Sequence, residues 1–138
     1  MSLLIDTNVL SDLRRRKPGS EPLFRWRDAA QREFKYVSAI SIIEIEFGIL
    51  QAESRNMPHA AALRSWLTTL LAEFTGAVIS VDIEVALATA RLQRIRTVPT
   101  NDAIIAATAL VHDFTIVTRN EHDFAGLGVR IINPWSLP

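Results

Sequence analysis

The chain contains no cysteine. That removes disulfides, thiolate metal ligands and a cysteine nucleophile from consideration. Glycine is scarce, at five residues, and forms neither a Walker loop nor a dinucleotide-binding pattern. No serine stands in a Gly-x-Ser-x-Gly elbow. The histidines are scattered as His59, His112 and His122, and the His122-Asp123 pair has no partnered nucleophile, so it reads as solvated loop. No segment reaches the ~18 uninterrupted apolar residues of a membrane helix. The first residues, MSLLIDTN, have neither the charged start nor the long apolar run of a signal peptide. The expectation is a cytoplasmic protein with no membrane association.

An excess of either charge is also missing. Fifteen Lys and Arg balance fifteen Asp and Glu. Proteins that hold nucleic acid by charge alone are usually basic. Any such role here must use a local patch or a metal that bridges to phosphate. The one dense basic run is Arg14-Arg15-Arg16-Lys17. Its preferred reading is a solvated helix end, where cations suit the macrodipole; it is also placed to steer a polyanion.

What is present is a chain of 138 residues, 49% hydrophobic and 22% charged. Such a chain buries a substantial core, and residues 1–138 are expected to form a single domain. Leu3-Leu4-Ile5 reads as a strand buried on both faces, as in parallel sheets. Asp6 ends it and is a natural N-cap for a helix from Thr7 to Arg14. Pro18-Gly19-Ser20 punctuates the chain before a helix expected over Glu21 to Arg32, with Leu23 and Trp26 facing inward. Phe34 to Ser38 reads as a second strand.

The segment from Ile40 to Leu50 carries helical periodicity in Ile42, Ile45 and Ile49, and again in Ile43, Phe47 and Leu50. Glu44 lies inside this apolar run, with Gly48 one turn later on the same stripe. A glycine there weakens a helix by ~1 kcal/mol relative to alanine. It also opens space beside the carboxylate for an ion or a phosphate backbone. Ser41-Ile-Ile-Glu44 equally fits a capping box. On this segment alone both readings stand.

Pro58 suits the start of a further helix, whose stripe of Leu63, Trp66, Leu67, Leu70, Leu71 and Phe74 either covers the core or meets a partner. Gly76 ends it. Ala77 to Val81 reads as a third strand, and Asp82 caps a helix to about Arg94. Asp102 to Val111 is a helix apolar on nearly every side, hence buried, with Asp102 in its first turn. Phe114 to Thr118 and Val129 to Ile132 are the last strands. Strands and helices alternate without repeats or linkers. The expected fold class is α/β, with a central, mainly parallel sheet of about four or five strands flanked by helices.

In a parallel sheet, ligands gather beyond the carboxyl ends of the strands. Asp6 and Asn120 fall at strand ends, and Glu44 and Asp102 in first turns of helices entering from that side. Thr7, Asn8, Thr118 and Asn120 add hydroxyl and amide oxygens. This all-oxygen set suits magnesium or manganese, not zinc. The chemistry it serves is metal-assisted phosphodiester hydrolysis. Clustered carboxylates repel one another, so one is expected to hold its proton unusually tightly until a cation arrives.

Four stretches carry a family resemblance: LLIDTNVLSDL, SAISIIEIEFGI, DAIIAATAL, and IVTRNEHDF followed by INPW. In this order the chain resembles the PIN-domain ribonucleases, specifically the VapC-type toxins of bacterial toxin–antitoxin pairs. The resemblance implies a PIN-like fold and a magnesium- or manganese-dependent endoribonuclease site that cleaves RNA. It also implies a homodimer and a small VapB-type antitoxin that blocks the site, with the complex reaching promoter DNA through the antitoxin. Carried over by position, Asp6, Glu44 and Asp102 match the catalytic, metal-binding acids. Many members have a fourth acid where this chain has Asn120. Asp123 is then a possible substitute, and Asn8 and Thr118 look like supporting residues. A phosphatase working through an aspartyl intermediate, as in haloacid-dehalogenase-like enzymes, needs Asp-x-Asp, whereas Asp6-Thr7-Asn8 lacks the second acid. The alternative is a PIN-like module, catalytically weakened at Asn120, that only binds RNA or its partner.

Overall fold

A computed structural model describes residues 1–137. Five strands form one parallel sheet in the order β3-β2-β1-β4-β5: β1 (Ser2–Ile5), β2 (Phe34–Ser38), β3 (Val78–Ile79), β4 (Thr115–Val117) and β5 (Arg130–Ile132). Six helices surround it: α1 (Thr7–Arg15), α2 (Glu21–Ala29), α3 (Ala39–Glu53), α4 (Met57–Glu73), α5 (Ile83–Ile95) and α6 (Thr100–His112). The α/β class and the parallel sheet are as expected.

Strand β1 lies at the centre, in register with β2 through Leu4 and Tyr36 and with β4 through Leu4 and Ile116. Side chains alternate across a strand, so Leu4 enters one core layer while Leu3 and Ile5 enter the other. Ile116 and Val117 divide in the same way. The Leu4 layer contains Val85, Leu92, Ala103, Ala106 and Phe124 from α5, α6 and the turn after β4. The Leu3 layer contains Val9, Leu23, Trp26, Ile49 and Leu67 from α1 to α4. Alanines along α6 let it approach α5 closely, and its buried Thr108 hydroxyl donates to the Ile104 carbonyl at 2.7 Å. Among the described residues no helix is long and apolar enough to cross a membrane.

Several local expectations are corrected. Ser38, not Ser41, is the N-cap of α3; its hydroxyl accepts from the Ile40 amide at 3.0 Å. The capping box fails because β2 passes straight into the helix at Ala39, which puts Ser41 inside it, fully buried, and Glu44 in the second turn. Ile45 and Ile49 are buried, whereas Ile43, Phe47 and Leu50 are exposed. Only one of the two apolar stripes on α3 therefore meets the core. On α4, Leu67 and Leu70 are buried and Leu71 is exposed. Helix α2 stops at Ala29, because the chain must turn before β2 begins at Phe34. Strand β3 has two residues, and α6 starts at Thr100, two residues before Asp102.

The order of connections sets the place of the site. From β1 the chain moves to β2 and β3 on one side, and then returns to β4 and β5 on the other. The reversal leaves a crevice beyond the ends of β1 and β4, the favoured ligand position in open parallel sheets. Asp6 and Thr118 are the residues that follow those two strands.

Candidate active site

Asp6, Glu44, Asp102 and Asn120 line one open pocket of about 340 Å³ at this crevice, together with Thr7, Asn8, Ser11, Asp12 and Arg15. The three acids expected to converge thus do so from β1, α3 and α6. Asp123 stands in the short turn Glu121–Phe124 after β4. It is absent from the pocket wall, yet its charge acts on both Asp6 and Asp102.

Asp6 is buried and held from three directions. The Thr7 amide donates to Oδ1 at 2.8 Å, which is the N-cap bond expected of it. The Thr118 hydroxyl donates to Oδ2 at 2.8 Å, and the Asn8 amide group to the same oxygen at 3.3 Å. Thr118 in turn accepts from the Asn120 backbone N–H at 3.0 Å and from Asn8 at 3.3 Å. Asn8 accepts from the Arg119 amide at 3.4 Å. Asn8 and Thr118 therefore tie the end of β4 to the start of α1 around one carboxylate.

Glu44 has its own anchor. The Thr7 hydroxyl lies 2.8 Å from both Glu44 Oε1 and Ser41 Oγ. An ionised carboxylate only accepts. Thr7 thus gives its one proton to Glu44 and accepts from Ser41. The buried Ser41, one of whose two sequence readings is a helix cap, instead orients the side chain that positions Glu44.

The electrostatics are those of an uncompensated acidic site. Burial raises the Asp6 carboxyl above its ordinary range; the Thr118 and Thr7 hydrogen bonds oppose this, and Glu44 and Asp123 add to it. Asp102 is pushed up to about 6, first by burial, then by Asp123, Asp6 and Glu44, against a smaller opposing effect of Arg96. Its place in the first turn of α6 does not outweigh its like-charged neighbours. A cation would relieve both groups. Among the described residues no three Asp, Glu or His side chains stand close enough to grip an ion by themselves. The donor set nevertheless fits magnesium, which takes one or two carboxylates and keeps several waters.

Asp12 and Arg15 escaped the sequence reading as site residues. Asp12 is buried and pairs with Arg119 at 3.5 Å, while Arg119 also lies over the Trp135 ring at 4.9 Å. The signal was available. Asn8, Ser11, Asp12 and Arg15 recur at i, i+3, i+4 and i+7, a polar stripe on α1 directed at the Asp6 pocket.

An open parallel sheet with carboxylates gathered at its switch point defines a class of acidic-site α/β proteins. Within it, this chain belongs to the PIN domain family, whose pattern matches residues 3–128. It is similar to the plasmid stability protein StbB of Pseudomonas syringae pv. tomato, at 38% identity over 96% of this chain and 98% of the relative. It is similar to the toxin FitB of Neisseria gonorrhoeae at 31% identity, over 96% of this chain and 98% of FitB. It also resembles the VapC ribonuclease Y4jK of Sinorhizobium fredii at 32% identity, over 96% and 97%. Among solved structures, FitAcB from Neisseria gonorrhoeae superposes with a TM-score of 0.87 at 30% identity, covering 98% of this chain and 99% of that one. FitAB bound to an IR36 DNA fragment gives 0.86 at 29%, covering 99% and 97%.

Proposed function

We propose that this protein is the toxin of a toxin–antitoxin pair, an endoribonuclease that hydrolyses RNA phosphodiester bonds with magnesium or manganese. The observation that carries this reading is the pocket itself: Asp6, Glu44 and Asp102, from three separate elements, line one crevice at the switch point of a PIN fold. Membership of the family and similarity to a named VapC ribonuclease and a named toxin support it.

In this reading Asp6, Glu44 and Asp102 would hold the ion jointly with water, since the three carboxylates do not close on an ion by themselves. When bound, the ion supplies Lewis-acid chemistry, activating water and offsetting charge on the phosphate and leaving oxygen. The chain's own residues supply position. Thr118, Asn8 and the Thr7 amide fix both oxygens of Asp6, and Thr7 with Ser41 fixes Glu44. Asn120 offers a neutral oxygen where a fourth acid would bring charge, and the Asp123 charge acts nearby. Arg15, which lines the pocket wall, is placed to receive an RNA phosphate.

The partner is a cognate VapB-type antitoxin, and promoter DNA is reached through it; the FitAB relative bound to a DNA fragment supports this arrangement. The working form is a cytoplasmic homodimer of single-domain chains. The deciding experiment is incubation of antitoxin-free protein with a mixed RNA pool in magnesium, manganese or chelator, beside Asp6→Asn. Metal-dependent cutting that disappears in the variant is expected. Intact RNA under every metal would favour a second reading, a catalytically weakened module that binds RNA or its partner, which Asn120 supports.

A further inference from the structure

Two of the three acids are held by hydrogen bonds: Asp6 by Thr118, Asn8 and the Thr7 amide, and Glu44 by the Thr7 hydroxyl. Asp102 has no such anchor. Among the described residues, burial and neighbouring charges act on its carboxylate, and no hydrogen bond does. Asp123, Asp6 and Glu44 repel it, and Arg96 is the one cation that offsets them. The place of Asp102 therefore depends on how the backbone leading into α6 is fixed.

Arg96 stands directly after α5, and α6 begins at Thr100. It does not line the acidic pocket. Arg27, Arg64, Arg119 and Arg130 each have a carboxylate partner, whereas Arg96 forms no ion pair among the described residues. It gives its N–H groups to backbone carbonyls instead. Nη2 donates to Asp123 at 2.6 Å and to His122 at 3.3 Å, Nε to Ala125 at 2.9 Å, and Nη1 to Thr97 at 3.2 Å.

Three of these carbonyls belong to the turn Glu121–Phe124 and the residue after it. A cation at the end of such a turn satisfies carbonyls that have no partner within it. So far this is a cap. The difference lies in what the two joined segments carry. The turn holds Asp123 and follows Asn120, and the connection from Arg96 leads within six residues to Asp102. Val98 from the connection and Phe124 from the turn are both buried in the Leu4 layer, so the segments are packed together as well as bonded. A planar guanidinium presents its donors in a fixed fork, and so sets the spacing of two backbones more closely than a flexible ammonium can.

We propose that Arg96 is a positioning residue for the metal site: by holding the turn after β4 against the α5–α6 connection, it sets where Asp102 and Asp123 stand relative to Asp6. The inference rests on the metal-dependent reading above. It adds a residue outside the pocket on which the grip of the ion depends.

Charge and position act in opposite directions here, which makes the test decisive. Removing a cation near the site favours a bound metal ion, whereas releasing the two segments disfavours it. Manganese binding is measured by titration calorimetry on the antitoxin-free chain, well below the melting temperature, for wild type, Arg96→Gln and Arg96→Lys. Arg96→Gln is expected to weaken binding about tenfold, the scale for groups that orient metal-binding side chains. Arg96→Lys keeps the charge but not the fork, and its Kd is expected to fall between the other two. Tighter binding in Arg96→Gln would show that only the charge matters, and overturns the proposal. So does an unchanged Kd beside a lowered melting temperature, which would leave Arg96 a cap and nothing more. If Arg96→Gln does not fold, Arg96→Lys decides alone, and a wild-type Kd there overturns the proposal. Absence of manganese binding by the wild-type chain overturns it as well. The nuclease reading fails separately, if the wild-type chain binds manganese and leaves RNA intact.

Discussion

Replacing Asp102 with asparagine is expected to stabilise the metal-free protein while abolishing the proposed nuclease activity. Burial and the charges of Asp123, Asp6 and Glu44 raise this carboxyl from 3.8 to about 6. Fully expressed, a shift of that size corresponds to roughly 3 kcal/mol against the ionised form. Asp102 is only half-buried, so solvent screening reduces this to ~1 kcal/mol. The amide keeps the shape of the acid but gives up its interaction with the N-terminus of α6, worth ~0.5 kcal/mol. The net gain is small and positive, a rise of about 2 °C in a chain of this size. Magnesium reverses the ranking. At tenfold its Kd, an ion stabilises the wild-type protein by ~1.4 kcal/mol through mass action, and the variant loses that response. Melting curves across a magnesium titration should therefore cross, with the variant higher in chelator and the wild-type protein higher in metal. A variant that melts lower in chelator and follows the wild-type magnesium response would refute both the electrostatic argument and the metal site.

The same shift predicts a pH dependence. The folded Asp102 carboxyl binds its proton more tightly than the unfolded one, so its favourable contribution is complete below pH 3.8 and is lost as pH rises through about 6. Urea midpoints of the metal-free chain should fall less steeply across that window in Asp102→Asn than in the wild-type protein. Asn120→Asp places a fourth carboxylate in the pocket, and should lower the metal-free melting temperature while increasing the gain on adding manganese. Leu4→Ala at the centre of the sheet should cost ~2–5 kcal/mol by denaturant unfolding, since Leu4 is fully buried between two strands.

The sequence disclosed most where one physical demand acted alone. Leu3-Leu4-Ile5 is apolar because both faces of β1 are covered, and Asp6 follows because the strand ends there. The apolar run after Asp102 is buried over most of its length, from Ala103 to Ala109 with Ile104 half-buried, whereas Leu110 is exposed. The sequence misled where two demands met. Ser41 has the spacing of a cap and the burial of a core residue, and only the proximity of Thr7, 34 positions away, explains it. Ile43, Phe47 and Leu50 follow helical periodicity yet face outward, and periodicity cannot tell which apolar stripe meets the sheet. Asp12 and Arg15 were hidden for the opposite reason. A polar stripe on a surface helix is ordinary until the strand order places a pocket beneath it.

The bond from Thr118 to Asp6 joins residues 112 positions apart, through the last strand but one to be made. Until that segment has left the ribosome, β1 lacks its second neighbour and Asp6 lacks its main hydrogen-bond donor. The proposed nuclease thus cannot assemble its site on an unfinished chain. On that reading a growing chain stays inactive until β4 has paired with β1 and the Thr118 hydroxyl has reached Asp6.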